Sequence, residues 1–292
     1  MQNQLLILPF DHRSSFVKNL LNFTPPLDEE QKQKVQELKQ LVFNGFREAV
    51  VNYENKDWFG ILVDEEFGEE IGKQAKRMGV KLAIPVEKSG QDVFDFEYGA
   101  NFGEHIKKMD PNYVKVLVRY NPENVDNNKI QIERLKRLSD FCQNNNYKLL
   151  FELLVPPTQK DIEIAGSKEE YEKSYRAEKT ARAISEIKET IKVDIWKIEG
   201  FSSSQWKEII EAIGPEAKII FLGRGENQEF VEKWLKAAAP YEQIIGFAIG
   251  RTIFYDPLKG YLSGAISQDR ARDLISENFK HFADMWINQK GL

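Results

Sequence analysis

A single cysteine, three histidines and the lack of any long apolar run exclude several classes before any motif is considered. Cys142 stands alone, so an internal disulfide is excluded. Its context, Phe141-Cys142-Gln143-Asn144, has no metal-ligand spacing, and a half-buried structural thiol is the expectation. His12, His105 and His281 are far apart, with no HExxH or Cys/His cluster, so neither a zinc site nor any other cofactor is expected. No window approaches the ~20 apolar residues of a membrane-crossing helix. The opening Met1-Gln2-Asn3-Gln4 lacks the basic start and apolar stretch of a signal peptide. A cytoplasmic location is the default for such a cysteine-poor chain. The net charge of −5 argues against a nucleic-acid partner. A phosphorylated metabolite is not excluded, because its site needs only a few local donors.

What is present is a regular alternation. Eight short apolar runs recur: Leu5–Phe10, Phe59–Val63, Lys81–Val86, Tyr113–Val118, Lys148–Leu154, Val193–Ile198, Lys218–Leu222 and Ile244–Ile249. Their continuous hydrophobicity suits strands covered on both faces, as in parallel sheets. Between them lie amphipathic stretches read as helices: Leu27–Asn52, Phe67–Met78, Phe102–Met109, Ile130–Asn144, Lys168–Thr190, Ser203–Ala212, Asn227–Ala238 and Asp269–Ile287. Eight β-then-α units in 292 residues predict an α/β fold, a single-domain (β/α)8 TIM barrel spanning 1–292. The excursion Ser14–Leu27 and the loop Pro156–Gly166 take up the extra length. A doubly wound open sheet is the runner-up. It lacks a dinucleotide fingerprint, since Gly223-Arg224-Gly225 has Gln228 where a third glycine belongs.

In such barrels the chemistry sits at the C-terminal strand ends. Lys197 lies inside the sixth run, Val193-Asp194-Ile195-Trp196-Lys197-Ile198-Glu199. A lysine there must bury its ammonium or lose its proton, and a neutral amine attacks carbonyls. Snorkelling outward or pairing with Glu199 is the alternative. Lys115 on the fourth run and Glu152 on the fifth are also charges embedded in strands. The three could converge, with Lys115 depressing the Lys197 pKa and Glu152 moving protons. Glu152 as a mere salt-bridge partner is the blander reading. Gly223-Arg224-Gly225 and Gly250-Arg251-Thr252 end the seventh and eighth runs, where glycine backbone and arginine suit a phosphate. Asp11, His12 and Arg13 follow the first run: Asp11 could orient a lysine or meet hydroxyls, Arg13 a second anion, and His12 is as easily structural. Asp64-Glu65-Glu66 are expected to be caps or hydroxyl ligands, and the tryptophans to pack helices on the barrel.

The motifs Phe10-Asp11-His12-Arg13, Glu87-Lys88-Ser89-Gly90, Val114-Lys115-Val116-Leu117, Phe151-Glu152, Asp194-Ile195-Trp196-Lys197-Ile198-Glu199 and Gly250-Arg251 resemble those of class I aldolases related to tagatose-1,6-bisphosphate aldolase. The nearest likeness is to the aldolase-like domain fused to 5-dehydro-2-deoxygluconokinase in bacterial inositol catabolism. The resemblance spans the whole chain. It implies Lys197 as the Schiff-base lysine, Glu152 as acid/base, Lys115 as assisting lysine, Asp11 and Arg13 as the strand-one polar group, and Arg251 as phosphate ligand. It further implies cleavage of 5-dehydro-2-deoxy-D-gluconate 6-phosphate to dihydroxyacetone phosphate and malonate semialdehyde. Arg13 or Arg119 would then meet the substrate carboxylate, and the chain would be linked in function to a sugar kinase. Gly223-Arg224-Gly225 and Glu199-Gly200 depart from the tagatose pattern. An aldolase for tagatose 1,6-bisphosphate or a sulfo-sugar phosphate, or a catalytically silent sugar-phosphate-binding barrel, stand as alternatives. A homo-oligomer is compatible with the sequence, which does not specify one.

Overall fold

A computed structural model describes residues 3–14 and 16–292. Met1 and Gln2, half of the opening tetrapeptide, lie outside the described residues, as does Ser15 within the first excursion. Eight parallel strands close into a barrel in chain order: β1 (Leu5–Pro9), β2 (Phe59–Leu62), β3 (Lys81–Pro85), β4 (Tyr113–Arg119), β5 (Lys148–Leu154), β6 (Ile195–Glu199), β7 (Lys218–Leu222) and β8 (Ile244–Ala248). β1 pairs with both β2 and β8, so the sheet has no free edge and the open-sheet alternative is excluded. Every predicted apolar run coincides with one strand, with ends shifted by at most two residues.

The helical layer comprises α1 (Glu29–Val50), α2 (Glu65–Arg77), α3 (Phe102–Met109), α4 (Val125–Asn144), α5 (Gln159–Ala165), α6 (Lys168–Glu170), α7 (Arg176–Lys188), α8 (Ser203–Ile213), α9 (Gln228–Ala238), α10 (Arg251–Leu262) and α11 (Gln268–Lys290). Local chemistry explains the starts. Asp28 and Gln31 form a reciprocal capping box at α1. Asp64 accepts the Phe67 backbone N–H at 2.9 Å and caps α2, as read for the strand-two carboxylates. Asp64 also takes the ammonium of the fully buried Lys39.

Three helical features depart from the sequence reading. The predicted loop 156–166 holds α5, started by a Thr158–Asp161 capping box. The predicted helix 168–190 is interrupted by a π-helical turn, Tyr171–Tyr175. The sequence reading places no helix over 251–262, yet α10 forms there with Pro257 inside it. Pro257 cannot donate to the Ile253 carbonyl, and the Asn278 side-chain amide of α11 supplies that hydrogen bond at 2.9 Å.

The strands alternate between outward and inward residues, with an irregularity where β7 meets β8. Outward residues such as Trp196, Ile198 and Phe151 join the large core under the helices. Trp206 and Trp286 are fully buried there, as expected of helix-packing tryptophans. Inward residues Leu5, Ile7, Leu62, Ala83, Leu150, Ile195, Ile220 and Ala248 form a separate apolar plug inside the barrel. Cys142 is more buried than expected, at 1% exposure, and burial pushes its thiol up to about 12.

Candidate active site

Two residues beyond the apolar plug the inward positions become charged. On β5, Leu150 is followed by Glu152; on β6, Ile195 is followed by Lys197 and Glu199. The period of two that fills the barrel floor therefore aims these groups into its mouth. They line a cavity of about 440 Å³ together with Asp11, Glu87, Lys115, Arg119, Arg224 and Arg251.

At its base Lys197 Nζ lies 2.8 Å from Glu152 Oε2. Lys115 Nζ meets the same oxygen at 3.0 Å, Asp11 Oδ2 at 2.9 Å and Glu87 Oε1 at 2.6 Å. Lys197 is 4% exposed and Lys115 2%. The expected convergence of β4, β5 and β6 is thus present. Lys197 neither snorkels outward nor pairs with Glu199.

The two lysines differ in company. Lys115 is caged by three carboxylates, whereas Lys197 shares one of them. Burial opposes the Lys115 ammonium, but Asp11, Glu152 and Glu87 outweigh it and raise its pKa well above the ordinary lysine value. Burial likewise disfavours ionised Asp11, yet Lys115 above all, with help from His12 and Lys197, holds that carboxyl well below the usual range. Glu152 is also lowered: burial pulls upward, and Lys115 and Lys197 pull further downward. Glu87 ends on the other side, raised by burial despite Lys115. His12 is a neutral imidazole near pH 7, because burial drops its pKa from 6.5 to about 4. Its Nδ1 is buried without a partner.

The four predicted arginines all line this cavity and divide into two pairs. Arg13 is engaged by Glu97 and by the Glu87 backbone carbonyl. Arg224 is held by Glu172 at 2.7 Å and Glu199 at 2.8 Å. Arg119 donates only to the Gln91 carbonyl, at 2.9 Å, and Arg251 to the Arg224 carbonyl. Among the described residues neither Arg119 nor Arg251 has a carboxylate partner. Both are available to an anion.

The glycines have distinct roles. Gly225, at φ +78°, would place a Cβ 2.6 Å from the Arg251 guanidinium carbon, so its bareness makes room for that side chain. Gly223 has only ordinary neighbours, and Gly250 caps α10 immediately before Arg251. Gly200 lets Trp234 pack against the end of β6, since a Cβ there would sit 2.2 Å from the indole.

Sequence reasoning left four cavity-shell residues unassigned: Glu87, Glu172, Arg176 and, beyond its rejected pairing with Lys197, Glu199. Arg176 stacks on Phe201 and meets Glu172 at 2.8 Å and Glu199 at 3.3 Å, tying the π-helical turn to β6. A carboxylate just past the end of β3 and another at the end of β6 were the available signals for Glu87 and Glu199. Among the described residues no group of His, Cys, Asp and Glu is arranged to hold a metal. Nor is any helix among them long and apolar enough to cross a membrane.

The solved structures that share this architecture include a Schiff-base-forming fructose-1,6-bisphosphate aldolase, with a TM-score of 0.57 and 13% identity over 97% of this chain and 94% of that one. Another is Cgl0159 of Corynebacterium glutamicum, with a TM-score of 0.58 and 12% identity over 96% of this chain and 86% of that one. At these identities the likeness carries the barrel fold. No curated protein matches the sequence. The family profile of DUF2090, described as an uncharacterized protein conserved in bacteria, matches residues 1–290, and the chain belongs to that family.

Proposed function

We propose that the chain is a class I aldolase that cleaves a phosphorylated keto-sugar or keto-sugar acid through an imine on Lys197. The observation that carries this reading is a dry primary amine at the floor of an anion-receptive cavity, 2.8 Å from a carboxylate. Glu152 takes a proton from Lys197, and the free amine adds to the substrate ketone. Lys115, held charged by its three carboxylates, keeps positive potential beside the nascent oxyanion. Glu152 returns the proton as the carbinolamine loses water. The resulting cationic iminium is the electron sink for breaking the adjacent carbon–carbon bond. An aldehyde leaves, and the enamine is protonated and hydrolysed to the keto product. Arg251, at the start of α10, would hold the phosphate.

The finer reading rests on the motif resemblance: 5-dehydro-2-deoxy-D-gluconate 6-phosphate as substrate, dihydroxyacetone phosphate and malonate semialdehyde as products, and a sugar kinase supplying the substrate. Arg119, free of carboxylates, suits the carboxylate end. Borohydride reduction in the presence of dihydroxyacetone phosphate tests the mechanism. The expected result is a stable mass adduct that peptide mapping puts on Lys197. Substrate binding without an adduct would leave a silent sugar-phosphate barrel. A screen of keto-sugar phosphates for dihydroxyacetone phosphate release then identifies the substrate.

A further inference from the structure

The chemistry above leaves one proton without an owner. Cleavage requires a base at the substrate hydroxyl on the carbon that becomes the aldehyde. Protonation of the enamine carbon then requires an acid. Glu152 already serves the nitrogen: its Oε2 is bonded to both Lys197 and Lys115. We infer that Glu87 is the second acid/base, taking the hydroxyl proton during cleavage and returning a proton to the enamine carbon. The inference rests on the aldolase reading of this site.

The geometry singles Glu87 out. It follows β3, lines the cavity and is 8% exposed. Its two oxygens differ: Oε1 accepts from Lys115 at 2.6 Å, while Oε2 is buried with no hydrogen-bond partner. A buried carboxylate oxygen without a donor is costly and uncommon in a settled core. Next to a cavity it is an acceptor waiting for a hydroxyl. The Oε1 contact anchors one end of the carboxyl group and leaves Oε2 as its unoccupied acceptor.

The competing groups fit less well. Lys115 is locked in its charged form by three carboxylates and cannot accept. Asp11 is held so firmly ionised that it is a weak base. His12 also has an unpartnered buried nitrogen, and burial makes it a poor base too. Burial moves Glu87 the other way, toward the basicity a proton shuttle needs at neutral pH.

The proton and electron balance closes. Glu87 Oε2 removes the hydroxyl proton. The O–H electrons form the aldehyde carbonyl, and the carbon–carbon pair moves into the iminium to give a neutral enamine. The protonated Glu87 then delivers its proton to the enamine carbon, restoring the iminium for hydrolysis by water.

The test separates this step from imine formation. Wild-type protein and Glu87→Gln are incubated with dihydroxyacetone phosphate in deuterated water. Deuterium exchange at the hydroxymethyl carbon is followed by NMR, and the imine is trapped with borohydride in parallel. Glu87→Gln should retain the Lys197 adduct within about two-fold while exchange falls about 10²- to 10⁴-fold. The acidic limb of the wild-type exchange profile should also vanish. If Glu87→Gln does not fold, Glu87→Asp replaces it: the carboxyl stays but is withdrawn, so trapping persists and exchange drops. Exchange unchanged in a folded variant, or lost only in His12→Asn, would overturn the assignment. Absence of any wild-type adduct would instead sink the aldolase reading, and this step with it.

Discussion

The barrel interior has two storeys built by one rule. The lower is filled by Leu150, Ile195, Ile220 and their neighbours; the upper, two residues further along the same strands, holds Glu152, Lys197 and their counter-ions. Both point inward, and both are nearly inaccessible to water. The lower storey is held by packing, whose loss is felt wherever a methyl group is removed. The upper is held by charge, where removing one partner strands the others. The dry floor also makes the charges above it interact strongly, because no water beneath them screens the field. Adjacent layers of the same strands are thus held together by different forces.

The comparison can be broken most sharply at Lys197. Replacement by alanine should lower turnover by at least about 10⁴-fold and abolish borohydride trapping in a protein that still folds. Retained turnover would remove the imine mechanism. Next come two substitutions that should both destabilise but differ in function. Lys115→Met strands Asp11 and Glu87, leaves Glu152 with Lys197 alone, and should cost about 3–5 kcal/mol in urea unfolding, with activity lost. Leu150→Ala, one storey down, should cost about 2–5 kcal/mol while the folded fraction still forms the Lys197 adduct. Equal loss of adduct in both variants would mean that the storeys are not separable.

A smaller effect is expected at the rim. Arg251→Ala should weaken substrate binding by about 1.5–3 kcal/mol, read as a raised KM with kcat little changed. The smallest effect near neutrality is that of pH. Asp11 and Glu152 have folded values below their ordinary 3.8 and 4.5. The stability they contribute is therefore fully present above those ordinary values and is lost as pH falls through the folded ones. Melting temperature should be insensitive to these two groups from about pH 5 to 7 and decline toward pH 3, where the unfolded chain binds their protons and the folded one does not. Lys115→Met should flatten that decline, whereas Leu150→Ala should keep it.

The barrel was legible because its strands are continuous apolar runs, a pattern that helices of this length do not share. Lys115, Glu152 and Lys197 were legible because each interrupts such a run. Glu87 was harder to read: it lies just past the end of β3, where a carboxylate is ordinary until Lys115 is seen 2.6 Å away. The division among the arginines was invisible, because Glu172 comes from a π-helical turn, and Arg176 from the start of α7, both far from Arg224 in sequence. Helix α10 escaped notice because the remedy for Pro257 lies 21 residues later, at Asn278. Local breaker rules cannot register a hydrogen bond supplied from another helix.

That last repair reaches further than one carbonyl. Arg251 is the opening residue of α10, and α10 keeps its course past Pro257 with help from α11. The chain's final helix is therefore a buttress for the helix that carries Arg251 as well as cladding for the wall. Disturbance near Asn278 would be transmitted to the guanidinium through the helix that links them, so damage to ligand affinity can originate well outside the cavity.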